Sequence, residues 1–189
     1  LSRPPQQGGP AILYVAPQSS DEELRQEPLI RTLLDAEPAA TLYTCDVRGS
    51  GESRPGTCAP ESYLQAYGND YFYAIHSFML DKPYAGQKTH DLIRALDFLA
   101  ANGHPKVHLA AVGWGTIPAT FAAVLSPVVE RVTLKGALRS YEEVATAERY
   151  DWPLSTFVPN VLAEFDLPDC YAALKTKQLR QIEPSGPIA

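Results

Sequence analysis

Two short stretches carry the residue types and spacings that acyl transfer needs. The first is Val112-Gly113-Trp114-Gly115-Thr116, where an apolar strand pattern runs through small residues straight into an apolar helical pattern. A turn of this kind holds one side chain above a sheet, because small neighbours let the chain pass close to itself while that side chain is thrust outward. Gly113 and Gly115 meet the steric need, and Trp114 is placed to fill the space beside the turn. Pro118 is tolerated in the first helical turn, where no amide donor is required. The outward position falls on Gly115, which has no side chain to offer. Thr116 comes one residue later, and a helical step of about 100° turns its hydroxyl away from that place. The glycine pair can also cradle an anion with backbone N–H groups, but it lacks the lysine of a P-loop and the third glycine of a dinucleotide fingerprint.

The second stretch is Asp46 to Ser53, "DVRGSGES". As an ordered surface turn it pairs Asp46 and Arg48 with each other or with backbone groups, with Gly49 and Gly51 shaping the bend. As a reactive turn it offers Ser50 or Ser53, and either hydroxyl needs a base and an orienting acid. His76, His90, His104 and His108 are the histidines available as a base. His108 falls inside a strand pattern and His104 in a turn beside Pro105, which favours structural roles for both. Tyr63, Tyr67, Tyr71, Phe72, Tyr73 and Phe78 offer either a packing surface or the lining of a sugar-binding cleft. Glu142, Glu143, Asp166, Asp169 and Glu183 are too scattered to hold a metal or form a glycosidase pair. Asp169, following Pro168, is placed as a helix cap.

These residues have to be positioned by regular elements, and the periodicity supplies them. Apolar runs at 11–16, 41–46, 106–112, 131–137 and 178–184 read as strands. Helical spacing places Leu24, Leu29, Ile30, Leu33 and Leu34 on one side until Pro38 ends it, and a separate helical spacing, broken at Gly68, runs through 61–80. It recurs over 87–101, where Leu92, Ile93, Leu96 and Leu99 share a face, and then at Ile117, Phe121, Ala122 and Leu125. Further helices are expected at 141–148, at 155–165 and from Asp169 to Leu174. Strand and helix alternate with strands that look buried, so the expected fold is α/β: a three-layer sandwich with a mostly parallel sheet and helices on both faces.

The chain has 189 residues, enough for one domain with a continuous core. Residues 1–10 read as a linker and 11–189 as the domain. With 16 Lys and Arg against 22 Asp and Glu, the net charge is −6, and no basic stripe is present to follow phosphates, so nucleic acid is excluded as a partner. No apolar run approaches the roughly 20 residues of a membrane span, so no membrane partner is expected. Cys45, Cys58 and Cys170 form neither a zinc spacing nor a disulfide framework, though a lone Cys45–Cys58 bridge stays open. The chain begins at Leu1 rather than methionine, which points to a processed or excised piece and leaves its localisation open.

Taken together, "ILYVAP", "DVRGSGES" and "VGWGTIPA" give the chain a resemblance, from about Ala11 to Pro184, to the alpha/beta-hydrolase superfamily, most like its acetyl xylan esterase-type carbohydrate esterases. The resemblance implies a D-x-R-G-x-G-x-S turn at Asp46–Ser53 and a G-x-S-x-G elbow with Gly115 in the nucleophile place. It implies that the Thr116 amide is an oxyanion donor, that Glu183 is a displaced triad acid, and that no cofactor is required. Three features depart from the pattern: "APQSSDE" lacks the H-G oxyanion loop, no Asp stands near Glu183, and no histidine follows. The expectation is an incomplete, catalytically silent hydrolase-like domain of a larger esterase-like protein, with an adjacent domain or subunit covering its sheet edges. The alternatives are an active serine-type esterase using Ser50, Ser53 or Thr116, and a carbohydrate-binding module using the tyrosine-rich region.

Overall fold

The structure, a computed structural model, describes residues 8–55 and 63–188. Cys58 and the first seven residues of the expected linker lie outside them. Gly8 to Pro10 are tied down: the Gly9 carbonyl lies 2.8 Å from His104 Nδ1, and the Pro10 carbonyl accepts from the Thr41 amide.

Five strands form one sheet: β1 (Ala11–Val15), β2 (Thr41–Cys45), β3 (Val107–Val112), β4 (Val129–Lys135) and β5 (Leu179–Ile182). Their order is β2-β1-β3-β4-β5, and every pairing is parallel. A parallel sheet has to be covered on both faces, and β1 shows the consequence, since all five of its residues are buried. Ala11, Leu13 and Val15 pack into one core with α4 (Tyr84–Ala101), α5 (Thr116–Leu125) and α7 (Leu167–Leu174). Ile12 and Tyr14 pack into a second core beneath α2 (Pro28–Ala36). The remaining helices are α1 (Ser20–Gln26), α3 (Asn69–Met79) and α6 (Tyr141–Thr146).

In α4, Leu92, Leu96 and Leu99 recur every three or four residues and are all buried, so this one stripe joins the helix to the sheet. Truncating a leucine in such a stripe to alanine costs about 2–5 kcal/mol. Chain order reverses at β1: β2 lies on one side of it and β3 on the other. Ligands of open α/β sheets bind at such a reversal, outside the carboxyl ends of the strands.

Three expected elements are corrected. The helical stretch around Leu24–Leu34 is two helices, because Pro28 opens α2 and the Glu27 side chain accepts from the Leu29 amide at 2.9 Å. The expected helix at 155–165 is instead two single 3-10 turns, at Leu154–Thr156 and Val161–Ala163. Pro159 removes a donor between them, and Asn160 adopts a left-handed conformation with φ 60°. β4 begins two residues earlier than its expected start and ends before Gly136, whose φ of +64° breaks the extended chain. Among the described residues, no helix is long and apolar enough to cross a membrane, and no group of three His, Cys, Asp or Glu residues is placed to hold a metal ion.

Candidate functional site

The carboxyl ends of β1 and β3 meet at the turn expected to present a nucleophile. The chain leaves β3 through Gly113, whose φ is +52°, and winds through a 3-10 turn, Gly113–Gly115, into α5. Gly115 sits at φ −64°, ψ −19°, an ordinary right-handed helical conformation. The strain of a nucleophile elbow is therefore not at Gly115. A Cβ built there would lie 3.0 Å from the Val15 carbonyl oxygen and 3.1 Å from that of Ala16. Gly115 thus allows the close approach of α5 to β1.

Thr116 is fully buried, and both of its donors are engaged within the turn. Its hydroxyl donates to the Gly113 carbonyl at 2.6 Å, and its N–H points to the carbonyls of Gly113 and Trp114. The amide that the resemblance casts as an oxyanion donor is turned inward, as is the hydroxyl weighed as a nucleophile. An oxyanion donor has to aim at the place where charge develops, and this one does not.

Of the two pairings expected for the Asp46–Ser53 turn, Asp46 takes the one with backbone groups and not the one with Arg48. Asp46 Oδ1 accepts from the Ser20 amide at 2.9 Å and from the Ser20 hydroxyl, while its Oδ2 accepts from the Glu52 amide at 3.2 Å. Gly51, at φ +44°, has room for nothing larger, since a Cβ there would overlap Asp46 Oδ2. Arg48 reaches α4, with Nε 2.7 Å from Asp91 Oδ2, Nη2 2.5 Å from Asp91 Oδ1 and Nη1 2.6 Å from Gln87 Oε1. Burial pushes the Asp91 carboxyl up, but the bonds from Arg48 outweigh it and hold the group below the usual carboxylate range. Gly49 passes beneath the hydroxyls of Tyr63 and Tyr84. The Ser53 hydroxyl donates to the Asp46 carbonyl at 2.9 Å, so it closes the turn.

No histidine lines the crevice beside the turn. His104 bridges the Tyr43 hydroxyl and the Gly9 carbonyl, each at 2.8 Å. His108 lies between Glu37 at 2.6 Å and Thr133 at 2.8 Å, and burial, opposed by Glu37, pushes its pKa down. His76 and His90 are exposed on α3 and α4. Glu183 is exposed just beyond β5, in a left-handed conformation with φ +48°. Of the aromatic group, Tyr63 is buried while Tyr67 and Phe72 are exposed. Tyr67, Tyr71 and Phe72 touch edge to face, so their rings do not form a flat stacking platform. Asp166, rather than Asp169, caps α7; Asp169 completes the capping box by accepting from the Asp166 amide at 2.9 Å. Cys45 and Cys170 are free thiols, and burial pushes both up to about 11.

What lies at the β1–β3 reversal is a narrow crevice of about 20 Å³, bordered by Ser50, Asp70, Lys88 and Ser155 together with apolar walls that include Trp114 and Gly115. Three of these, Asp70, Lys88 and Ser155, are absent from the sequence reading, yet two carried a signal. Lys88 lies four residues before Leu92 on the buried stripe of α4, and Asp70 shares the buried side of α3 with Ala74 and Ser77. Lys88 Nζ lies 3.6 Å from Asp70 Oδ1 and 4.8 Å from the centre of the Tyr84 ring. Burial pushes the Lys88 ammonium down, and the Asp70 carboxylate opposes that shift.

No known family profile and no curated protein matches this chain. Solved structures do match. A Bacteroides fragilis protein provisionally named an acetyl xylan esterase superposes with TM-score 0.73 at 15% identity, over 96% of this chain and 53% of its own. An acylaminoacyl peptidase of Pyrococcus horikoshii superposes with TM-score 0.50 at 11% identity, over 95% of this chain and 33% of its own. The chain thus spans about half the length of the first and a third of the second. Identities this low speak for architecture alone. With its parallel sheet reversing at β1, helices on both faces and these neighbours, the chain has the alpha/beta-hydrolase fold.

Proposed function

We propose that this is a hydrolase-like domain without catalytic turnover, serving a structural or binding role within a larger esterase-like protein. One observation carries the reading: the turn that should present a nucleophile has Gly115 in a helical conformation, with the Thr116 amide and hydroxyl both consumed by the turn itself. Acyl transfer needs an attacking atom and donors aimed at the developing oxyanion, and this turn supplies neither. The purified chain is therefore expected to hydrolyse neither p-nitrophenyl acetate nor acetylated xylan above background. Gly115→Ser should not change that, because it restores a hydroxyl without freeing an amide. Robust turnover by the wild-type chain would overturn the reading.

A second reading, a serine-type esterase, is favoured by the position of Ser50. Its hydroxyl borders the same crevice as Lys88, an amine whose burial favours the neutral form. In that reading Lys88 takes the Ser50 proton as the oxygen attacks an ester carbonyl, then returns it to the departing alkoxide. A stoichiometric fluorophosphonate adduct on Ser50, located by peptide mass spectrometry and lost in Ser50→Ala, would establish this reading over the first.

A further inference from the structure

Helix α5 has no charged side. Its sequence, TIPATFAAVL, carries neither an acid nor a base, and a helix of that kind belongs inside a protein. One side is inside, since Ile117, Ala119, Ala122 and Ala123 are fully buried in the main core. The other is not: Val124 is 39% exposed and Leu125 66%. With Phe121 they form the floor of a groove of about 590 Å³, walled by α4 on one side and by α7 and the loop before it on the other. On the α4 wall, Gly86 leaves the groove open, with nothing within 4 Å of a built Cβ. At the opposite wall, Phe165 stands edge to face with Phe121, ring centres 6.1 Å apart.

Shape and charge select the occupant. Pockets for small molecules bury most of the ligand, whereas a groove with so exposed a floor would leave a small molecule half in water. A helix laid in the groove supplies its own outer face to solvent, and meets the floor with apolar residues at i, i+3, i+4 and i+7. Asp169 is the one carboxylate among the lining residues, and it has no basic partner among the described residues. Glu164, exposed just before Phe165, has none either. The Cys170 thiol on the same wall is pushed up by burial and then by the charges of Asp169 and Asp166, so this wall is electronegative. No lysine or arginine lines the groove. A second copy of the chain would bring a net charge of −6 and the same acidic wall, whereas a basic flank on the occupant complements it.

We infer that the groove over α5 docks an amphipathic helix of a partner protein, with its apolar stripe on Phe121, Val124 and Leu125 and a lysine or arginine beside Asp169. The groove shares no lining residue with the crevice at the Gly113–Gly115 turn. The inference therefore goes beyond the proposed silence of that turn, and it stands if Ser50 proves to be acylated.

The test is fluorescence anisotropy of the full chain with a labelled Leu/Lys peptide of about 18 residues, long enough to be helical alone, with leucine at the spacing above. A Leu/Glu peptide with the same stripe and a scrambled Leu/Lys peptide are the comparisons. Saturable binding in the micromolar range is expected for the Leu/Lys helix and at least tenfold weaker binding for the other two. Gly86→Leu fills the groove and Leu125→Gln strips its floor, and neither alters the charge of the chain. Each should weaken binding at least tenfold, and Glu164→Lys by about threefold. Circular dichroism checks each fold, and Gly86→Leu, which adds its side chain in open space, serves if Leu125→Gln unfolds. No saturation up to about 200 μM would overturn the inference, as would equal affinity for the scrambled or Leu/Glu peptide. So would unchanged affinity in folded Gly86→Leu. Sedimentation showing a dimer that Leu125→Gln abolishes would give the groove to a second copy and overturn it too. The fluorophosphonate experiment is independent: an adduct on Ser50 sinks the silent reading alone, whereas peptide binding indifferent to Gly86→Leu sinks only the groove.

Discussion

Adding a single methyl group at Gly115 tests whether the turn has become a packing joint. The Cβ of Gly115→Ala would sit 3.0 Å and 3.1 Å from the carbonyl oxygens of Val15 and Ala16. Ordinary carbon–oxygen contacts are a few tenths of an ångström longer. The strand that would have to yield is β1, paired to β2 on one side and β3 on the other, so its carbonyls have little freedom to retreat. Inserting a methyl into a tight core costs about 1–3 kcal/mol. Alanine recovers about 0.5–1 kcal/mol over glycine in helical backbone, and Gly115 has that backbone. The expected net is a loss of about 1 kcal/mol, which for a domain of this length lowers Tm by about 2–4 °C.

Gly86 supplies the control. It lies in α4, exposed, with nothing within 4 Å of a built Cβ, so Gly86→Ala has only the helical gain and should stabilise by about 0.5 kcal/mol. Urea unfolding followed by circular dichroism reads both variants against wild type. If Gly115→Ala matches or exceeds wild type while Gly86→Ala behaves as expected, the close approach of α5 to β1 is not what Gly115 provides.

Three further outcomes follow from particular contacts. Asp166 accepts from the Leu167 amide of α7 at 2.6 Å and from the Tyr141 amide of α6 at 2.7 Å, so it serves two helix starts. Asp166→Ala should cost about 2 kcal/mol by chemical unfolding, and a loss near zero would refute the double cap. Burial, with Glu27, Asp46 and Glu22 nearby, pushes the Glu23 carboxyl up to about 7 despite the hydrogen bond from Tyr14. A raised folded-state pKa gives stability that is complete below the unfolded value of about 4.5 and lost as pH rises through 7. Wild-type stability should therefore fall between pH 5 and 8, and Glu23→Gln should flatten that fall; an identical slope in the variant would count against it. Asp91 works the other way: held below its ordinary pKa by Arg48, it contributes stability above pH 4 that is lost in acid. Asp91→Asn should reduce the acid sensitivity of unfolding, and an unchanged acid limb would dismiss the Arg48 bond as its source.

Much of the scaffold was legible in the sequence because period and burial agree. The run "AILYVA" and the Leu92–Leu96–Leu99 stripe each have one stable placement, so β1 and α4 follow from pattern alone. The 155–165 stretch misled because its apolar residues are spaced like a helix while Pro159 and Asn160 interrupt the backbone, a local effect that overrides periodicity. At the site, the missing side chain of Gly115 was visible, but the direction of the Thr116 amide was not, since residue type says nothing about which carbonyl an N–H meets. The partners of Arg48 lie 39 and 43 residues away in sequence, and spacing within "DVRGSGES" cannot announce them. Lys88 was the most readable omission: a charge on an apolar stripe that has to be buried with some partner.

The distribution of strain and polarity separates two roles that the silent reading leaves together. Preorganised sites hold residues in sparsely populated conformations at a cost of about 1–3 kcal/mol each. Here the non-glycine residues with positive φ are Tyr67, Asp81, Asn160, Gln178 and Glu183, none of which lies in the Gly113–Gly115 turn. The one positive φ in that turn is at Gly113, +52°, where the lack of a Cβ removes the steric cost. Had the region only to support a neighbour, however, apolar side chains would serve it better, because replacing a buried ion pair with well-packed hydrophobic residues is often neutral or stabilising. Instead Lys88, Asp70, Ser50 and Ser155 border one crevice, and Asp70 Oδ1 accepts no hydrogen bond among the described residues. A buried carboxylate oxygen left without a donor is a cost that the binding half of the proposed reading accounts for and the structural half does not.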